Sequence, residues 1–368
     1  MERANVIIVG GGVVGCAIAA ELAPRLADVF LLEALPRVGM VTSSRNSGVI
    51  HSGIYYAPGS LKARCCVDGN RLTYEFCAAH DVPHKRTGKF IVATSAAEEE
   101  QLHALVARGR ENGVAGLELV TAATLHQHEP HVAGRAALRV PSTGLLVSED
   151  LVKAYAAAAR RHGAYLATDA RLEHVDPAGD FVRVRAGQAG ELEARVLVNA
   201  AGLHADEIAA LFGFTRYKIH PCRGEYWEVA PAKAHLVNAL VYPTPDPTGL
   251  SLGVHLTKTL WGTLLLGPNA RYVTDKNDYE RDLEPRESFC ARAHKLLPQL
   301  RPEDLRPAFS GLRAKLTPPG KHGPEDFIVT RDPTYPRVIH LIGIDSPGLT
   351  SAPTLARHVA KLVLETLV

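Results

Sequence analysis

The chain has 368 residues, of which 46% are hydrophobic and 22% are charged, and its formal net charge at pH 7 is +2. These values are typical of a soluble globular protein with a large core, and the length indicates about two domains. A net charge so close to zero argues against nucleic acid as a partner and gives no reason to expect binding to an anionic membrane.

Cysteine usage and sorting signals bear on the compartment. The six cysteines form no CxxC pair, so we expect free buried thiols and a reducing environment. The N-terminus lacks the pattern of a signal peptide, and no apolar run has the length of a membrane span. We predict a cytoplasmic protein, for which peripheral contact with the inner face of a membrane stays open. The 17 histidines are scattered without metal-ligand spacing, so no metal site is predicted.

The first 33 residues carry the strongest local pattern. The apolar run 6–9 predicts a buried parallel strand, 14–26 predicts a helix, and a second apolar run at 29–32 ends at Glu33. A GxGxxG turn joins strand and helix, and its glycines allow a pyrophosphate and the helix to come close. The acid is placed to accept hydrogen bonds from a ribose diol, which favours FAD or NAD over NADP. A turn that binds nothing is the alternative. The predicted cofactor contacts are Gly10, Gly12, Val13, Val14, Gly15, Glu33 and Ala34.

A long connection rich in glycine, serine and asparagine follows at 36–59. Such a stretch inside a compact domain is usually functional, so we expect it to run beneath a cofactor and to present His51 at the reactive end. A solvated linker is the alternative. The cofactor contacts predicted on this loop are Thr42, Ser43, Ser44, Asn46, Ser47 and Gly48.

The next elements suggest an excursion out of the nucleotide-binding domain and a return to it. Helices are predicted at 61–80, 96–112, 121–129, 148–162 (with Ser148 as its cap) and 205–212, and strands at 89–94, 138–141, 170–175, 181–185 and 195–203. The small residues that end the last of these strands would let a cofactor lie close to the backbone.

The C-terminal third predicts a second sheet and a second helix start at the cofactor. Strands at 224–229, 240–243, 253–256 and 263–266 are separated by Pro/Gly turns, as in an antiparallel sheet that would form a roof over the reactive ring. A helix is expected at 288–297 and a strand at 327–329. The strand 338–344 runs into a turn at 345–350 and a final helix, whose positive end would favour an anionic ring.

Several of these segments together resemble one family. The unit 10–33, the stretch 44–56, and the segments 199–202, 310–315 and 346–350 look like those of D-amino-acid-oxidase-type FAD-dependent oxidoreductases. Within that superfamily the chain most resembles the L-2-hydroxyglutarate dehydrogenase/oxidase branch, over essentially its whole length.

The resemblance implies an α/β (α+β) fold with a Rossmann-like, glutathione-reductase-type FAD-binding domain and a second domain built on an antiparallel sheet. We place residues 1–85, 141–216 and 306–368 in the FAD-binding domain, and residues 86–140 and 217–305 in the substrate-binding domain. It also implies oxidation of a small carboxylate substrate by hydride transfer to flavin N5, in this branch L-2-hydroxyglutarate to 2-oxoglutarate. No cysteine is clearly placed for a covalent flavin link, so noncovalent FAD is expected.

The resemblance also assigns site residues. Arg313 is the expected carboxylate clamp, because a guanidinium pairs bidentately with a carboxylate, and Lys315 would serve a second carboxylate. His51 and His255 are the two candidate bases for the hydroxyl proton; either can instead be structural, and His255 can instead bind substrate. Tyr56 and Tyr242 are candidate hydrogen-bond donors to the substrate. The remaining predicted cofactor contacts are Arg171, Leu172, Ala200, Ala201, Gly202, Arg313, Ser346, Pro347, Gly348, Leu349 and Thr350.

Other functions stay open at this point. Related flavoenzymes oxidise amino acids, amines or glycerol 3-phosphate on the same scaffold, so the fold does not decide the substrate. A nucleotide-binding module without redox turnover would also explain the glycine turn, whereas an NAD-dependent dehydrogenase would leave the loop at 36–59 without a purpose. The electron acceptor can be oxygen, a quinone or a soluble carrier.

Overall fold

The computed structural model describes residues 2–245, 253–321 and 325–368. Within these ranges the helices are α1 (Val13–Leu22), α2 (Leu61–Ala79), α3 (Ala96–Glu111), α4 (Ala122–His128), α5 (Ser148–Arg161), α6 (Ala205–Leu211), α7 (Arg286–His294) and α8 (Gly348–Leu367). The same ranges contain no helix that combines the length and apolar character needed to cross a membrane.

The strands in the described ranges are β1 (Glu2–Val9), β2 (Val29–Leu32), β3 (Val49–Ile50), β4 (His84–Lys85), β5 (Lys89–Ala93), β6 (Glu118–Thr121), β7 (Ala136–Val140), β8 (Gly144–Leu146), β9 (Tyr165–Ala167), β10 (Leu172–Ala178), β11 (Phe181–Ala186), β12 (Gly190–Asn199), β13 (His220–Val229), β14 (Leu240–Pro243), β15 (His255–Lys258), β16 (Leu264–Gly267), β17 (Arg271–Tyr272), β18 (Leu305–Lys315), β19 (Ile328–Arg331) and β20 (Val338–Ile342).

The first sheet is the predicted Rossmann-like layer. Its strands β9, β2, β1, β12 and β20 run parallel in that order, with β19 antiparallel on β20 and the β10–β11 hairpin on the first half of β12. The central strands are buried apolar runs, as a sheet covered on both faces requires. Their carboxyl ends share one edge, where Gly10 N donates to Leu32 O (2.8 Å) and Ala200 N donates to Val9 O (2.9 Å).

Three helices cover one face of this sheet. Apolar side chains of α1, α5 and α8 form a continuous core with β1, β2, β12 and β20. Small residues of α1, such as Cys16, Ala17 and Ala19, let the helices pack closely. All six cysteines are buried free thiols, as predicted.

The second sheet has the strand order β17-β13-β16-β15-β14-β5-β7-β6, with β18 on the other edge of β13. Strands β13 to β16 pair antiparallel, as predicted, and the sheet continues through one parallel pair, β5–β14. Helix α7 packs its buried residues against this sheet around Phe289. Strands β3, β8 and β4 form a small third sheet.

The predicted domain division stays a prediction, and strand pairing bears on one of its boundaries. Strand β18 pairs along its length with β13, although the division placed residues 306–315 with the FAD-binding domain. We propose that the final boundary lies after Lys315. Elsewhere, the prediction overlooked the short strand β6, and α5 is capped at Val147 without a side-chain hydrogen bond, not at Ser148.

Candidate active site

A cavity of about 450 Å³ extends from the glycine turn of the first sheet to the second sheet. It gathers most of the residues predicted from the sequence, which come from widely separated parts of the chain. The predicted residues that line it are Gly12, Val13, Val14, Thr42, Ser43, Asn46, Ser47, His51, Tyr56, Ala200, Gly202, Tyr242, His255, Arg313, Lys315, Ser346, Pro347, Gly348 and Leu349. The others lie outside this lining: Gly10, Gly15, Glu33, Ala34, Ser44, Gly48, Arg171, Leu172, Ala201 and Thr350.

The glycine turn forms a cradle that side chains would fill. Gly10 has φ +110°, and a Cβ atom there would lie 2.5 Å from the carbonyl oxygen of Ala200. At Gly15 a Cβ would lie 1.9 Å from the oxygen of Gly10, so strand and helix pack backbone to backbone. Gly12 faces the cavity, with only the Ser43 hydroxyl near its missing Cβ, at 3.2 Å. The turn therefore leaves room for a phosphate group close to the backbone.

Two helices begin at this cavity. Helix α1 follows Gly12 and α8 follows Pro347, and neither N-cap residue has a side-chain capping bond. The Ser43 hydroxyl accepts a hydrogen bond from Val13 N at 2.9 Å. Helix N-termini carry partial positive charge, so both ends favour an anionic ligand.

Glu33 stands beside the turn and not in the cavity lining. Its carboxylate accepts hydrogen bonds from Gly11 N (2.7 Å) and Leu35 N (2.8 Å). A carboxylate has about four acceptor positions, so two stay available for ribose hydroxyls. Ala170 N donates to the backbone oxygen of Glu33, which places the predicted contacts Arg171 and Leu172 next to this segment.

The loop that follows β2 is held by its own polar side chains. The amide nitrogen of Asn46 donates to the carbonyls of Thr42 (3.2 Å) and Ser43 (2.8 Å), and its oxygen accepts from Gly48 N (2.8 Å). Gly48 has φ +65°, and a Cβ there would lie 2.3 Å from the oxygen of Leu146. These contacts fix the path of the loop beneath the cavity.

His51 is held at the end of this loop. Its backbone N donates to the Thr350 hydroxyl at 3.0 Å, and Nε2 lies 3.5 Å from the Ser346 hydroxyl. Nδ1 has no hydrogen-bond partner within the described ranges. Burial, together with the charge of Lys89, lowers the pKa of His51 to about 3. The imidazole is therefore neutral at pH 7, and the same burial makes it a weak base.

Arg313, like Arg45, lines the cavity with a guanidinium that pairs with no carboxylate within the described ranges. Its NH1 donates to the backbone oxygen of Asn269 at 3.1 Å, and none of the ion pairs found in the described ranges includes it. Gly224 on the neighbouring strand provides the space for it, since a Cβ there would lie 2.9 and 3.0 Å from NH2 and NH1. A planar fork without a carboxylate partner is suited to bind a substrate carboxylate.

Lys315, unlike Arg313, is paired with carboxylates. Its ammonium contacts Glu325 at 2.8 Å and Asp345 at 3.0 Å, and Asp345 also pairs with Lys62 at 2.7 Å. Although burial opposes it, the two acids raise the pKa of Lys315. Lys315 is charged but already neutralised, which favours a role in fixing Asp345 over direct binding of a second carboxylate.

The second sheet contributes His255 and Tyr242, whose rings stack with centroids 3.6 Å apart and an interplanar angle of 9°. Both side chains are buried and face the cavity. The stack fixes the orientation of the imidazole relative to the loop that carries His51.

The sequence reasoning missed several residues of the site. Tyr226 lies against Arg313 and Ser47, Tyr55 lines the cavity next to Tyr56, and Asn269 supplies the carbonyl that holds Arg313. Tyr226 lies in a segment that was interpreted only as a strand, and Asn269 follows another such strand. Tyr55 lies in the loop predicted to run beneath the cofactor but was not among the predicted site residues. Lys89 was likewise interpreted only as the start of a strand. Among the described residues, no group of three or more His, Cys, Asp or Glu side chains could hold a metal ion.

Taken together, these features fit a dinucleotide. The cavity is lined by a glycine cradle and two helix N-termini, which suit phosphates, and by aromatic rings, two histidines and Arg313. FAD would fit this lining, with its ADP half held by the glycine turn and its ring system among the residues of the second sheet.

The sequence of this chain is similar to that of a known protein family and of several known enzymes. Residues 5–362 match the family described as DAO, FAD dependent oxidoreductase. The mitochondrial L-2-hydroxyglutarate dehydrogenase of Arabidopsis thaliana is 35% identical, over 99% of this chain and 84% of its own length. L-2-hydroxyglutarate dehydrogenase of Escherichia coli K12 is 33% identical, over 97% of this chain and 92% of its own length.

Solved structures agree on the fold. L-alpha-glycerophosphate oxidase from Mycoplasma pneumoniae, solved with FAD bound, superposes with a TM-score of 0.90 at 27% identity, over 99% of this chain and 95% of its own. Glycine oxidase from Geobacillus kaustophilus superposes with a TM-score of 0.82 at 23% identity, over 99% and 95% of the two chains. The chain belongs to the DAO family of FAD-dependent oxidoreductases, and FAD is its cofactor.

Proposed function

We propose that this enzyme oxidises L-2-hydroxyglutarate to 2-oxoglutarate. The observation that carries the proposal is that a neutral His51 and an Arg313 without a carboxylate partner line one cavity. The relatives named L-2-hydroxyglutarate dehydrogenase, which align with nearly the whole chain, support the choice of substrate.

The residues divide the work by their chemistry. Arg313 binds the carboxylate next to the hydroxyl-bearing carbon and orients that carbon. His51 accepts the hydroxyl proton, since it is uncharged, lines the cavity and has no hydrogen-bond partner at Nδ1 within the described ranges. FAD, when bound, supplies the two-electron acceptor for the hydride. His255, Tyr242 and Tyr56 supply polar atoms for the rest of the substrate.

Glycerol 3-phosphate is the second candidate substrate. The likeness to a glycerophosphate oxidase at 27% identity favours it, and a guanidinium fork also binds phosphate. A substrate with an amino group in place of the hydroxyl is the remaining alternative within the family. The three classes differ in the group oxidised and in the anion that Arg313 would hold.

Anaerobic flavin bleaching distinguishes these classes. The holoenzyme is mixed with L-2-hydroxyglutarate, its D-enantiomer, L-lactate, glycerol 3-phosphate, glycine and L-proline, and the flavin absorbance is followed. We expect fast bleaching with L-2-hydroxyglutarate and none with its enantiomer. Failure of every 2-hydroxy acid to reduce the flavin would reject the proposal, and reduction by glycerol 3-phosphate alone would replace it.

We further propose that FAD is bound noncovalently. The reduced enzyme passes its electrons to oxygen, a quinone or a soluble carrier. The protein is cytoplasmic, with peripheral membrane contact if the acceptor is a quinone. Of the cysteines, Cys222 lines the cavity, so the covalent alternative has one candidate residue. Denaturation in acid releases a noncovalent flavin into the supernatant, whereas a covalent flavin stays with the precipitate. Reoxidation of the reduced enzyme by each acceptor in turn identifies the acceptor.

A further inference from the structure

Lys89, the first residue of β5, is a buried lysine directly behind the cavity. Its side chain is 1% exposed, and its Nζ has no hydrogen-bond partner within the described ranges. The ammonium instead lies 4.2 Å from the ring centroid of Tyr55 and 4.8 Å from that of Tyr242. Two aromatic faces are an unusual set of partners for a buried ammonium, because such contacts are electrostatic and have no directional acceptor.

Both tyrosines belong to the site. Tyr55 and Tyr242 line the cavity, and Tyr242 is the ring that stacks on His255. Lys89 therefore contacts one ring of the stack, that of Tyr242, and, through Tyr55, the loop that carries His51. Its charge also acts on His51 directly, since it helps to lower the pKa of that imidazole. Lys89 thus acts on His51 and lies next to the ring that stacks on His255.

The titratable groups around Lys89 come from three elements. Tyr55 and His51 come from the loop after β3, Tyr242 from β14 and Cys66 from α2. Burial raises the pKa of both tyrosines and of the thiol, so all three stay neutral near pH 7. Burial lowers the pKa of Lys89 to about 7, with Cys66 opposing the shift. Of these groups, Lys89 is therefore the one that changes charge near neutrality, and His255 of β15, which stacks on Tyr242, is the next titratable ring.

We propose that Lys89 is a positioning residue of this site, whose buried side chain packs against Tyr55 and Tyr242 and whose charge sets how readily His51 accepts the substrate proton. The inference rests on the proposed oxidation of a 2-hydroxy acid with His51 as base. A protonated Lys89 opposes a second positive charge on His51, so the deprotonated form leaves His51 the stronger base. The rate of substrate oxidation should rise as Lys89 loses its proton.

The test is the pH dependence of anaerobic flavin reduction in the holoenzyme, measured in single turnovers from about pH 6 to about pH 9. The parent enzyme should show an inflection near pH 7, with a rate about twofold or more higher on the alkaline side. Lys89→Met removes the charge, and Lys89→Arg keeps it at every pH in this range. Both variants should lose the inflection, and Lys89→Arg should stay at the acidic plateau.

Lys258→Met provides the matched control. Lys258 is a half-buried lysine of the same sheet, its ammonium donates to the carbonyl of Ala234, and it does not line the cavity. Burial lowers its pKa as well, so its removal tests whether any such lysine produces the inflection. The control should keep the profile of the parent enzyme. An inflection that persists in Lys89→Met or Lys89→Arg would overturn the proposal, as would its absence from the parent.

A measurement independent of activity completes the test. Protein labelled with carbon-13 at lysine Cε should show one lysine resonance that titrates near pH 7, which is missing from Lys89→Met. Absence of that resonance from the parent protein overturns the proposal even if both variants fail to fold. If no 2-hydroxy acid reduces the flavin, the proposed function fails, and this titration still reports whether Lys89 changes charge.

Discussion

The substitution Gly224→Ala tests whether Arg313 binds the substrate. A Cβ at position 224 would lie 2.9 Å from NH2 and 3.0 Å from NH1 of Arg313, and 3.0 Å from Cβ of Pro268. Ordinary carbon–nitrogen contacts are about 3.5 Å, so the guanidinium must withdraw by about half an ångström. We expect that shift to lose one of the two hydrogen bonds to the carboxylate, which costs about 1.5–3 kcal/mol.

That loss corresponds to a decrease in kcat/KM for L-2-hydroxyglutarate of about 10-fold to 100-fold. The assay is steady-state oxidation with a saturating acceptor, with flavin content and Tm as checks on the fold. A double-mutant cycle with Arg313→Met provides the control, because Gly224→Ala should add little once the guanidinium is gone. Unchanged kcat/KM in Gly224→Ala, or an equal loss in both backgrounds, would refute a role of Arg313 in binding the carboxylate.

Three further substitutions test other parts of the site. Arg313→Lys keeps the charge and loses the guanidinium fork, so KM should rise about 10-fold or more while FAD stays bound. A KM within twofold of the parent would count against a bidentate contact with the carboxylate. His51→Gln removes the base, so single-turnover flavin reduction should slow by about 10²-fold to 10⁴-fold with normal flavin content, and a normal rate would exclude it as the base. Burial would raise the pKa of Asp345, but Lys62 and Lys315 hold it below its usual value. The stability from these pairs is complete above the unfolded-state pKa of about 3.9 and is lost as the pH falls through the folded-state value. Asp345→Asn leaves Lys62 and Lys315 without their shared acid and should lower the free energy of unfolding by about 3 kcal/mol or more at pH 7. Urea melts that match those of the parent would show that the pairs add no stability.

The strand–turn–helix unit at the start of the chain could be predicted from the sequence because its signals are local. Gly10, Gly12 and Gly15 are required by contacts within one strand–turn–helix unit, which the spacing of the glycines already indicates. The same holds for α8, where a strand, a turn and an apolar helix follow one another. Such units can be recognised without knowing what packs on them.

The reactive end could be predicted only in part, because it is built by contacts between distant segments. The pairing of Lys315 with Asp345 depends on how β18 packs against the turn before α8. No sequence pattern indicates that this pairing neutralises Lys315. Strand β18 lacks the alternation of a surface strand, so its place in the second sheet was missed. Lys89 looks like an ordinary charged residue at the start of a strand, and only its burial between two tyrosines reveals it.

Oxidation of L-2-hydroxyglutarate by this enzyme is tested most directly in a single turnover of the anaerobic holoenzyme with a slight excess of that substrate, in which flavin absorbance and product are measured together. We expect loss of the oxidised flavin spectrum and formation of an equal amount of 2-oxoglutarate. An oxidised flavin that persists, or a reduced flavin without 2-oxoglutarate, would contradict it.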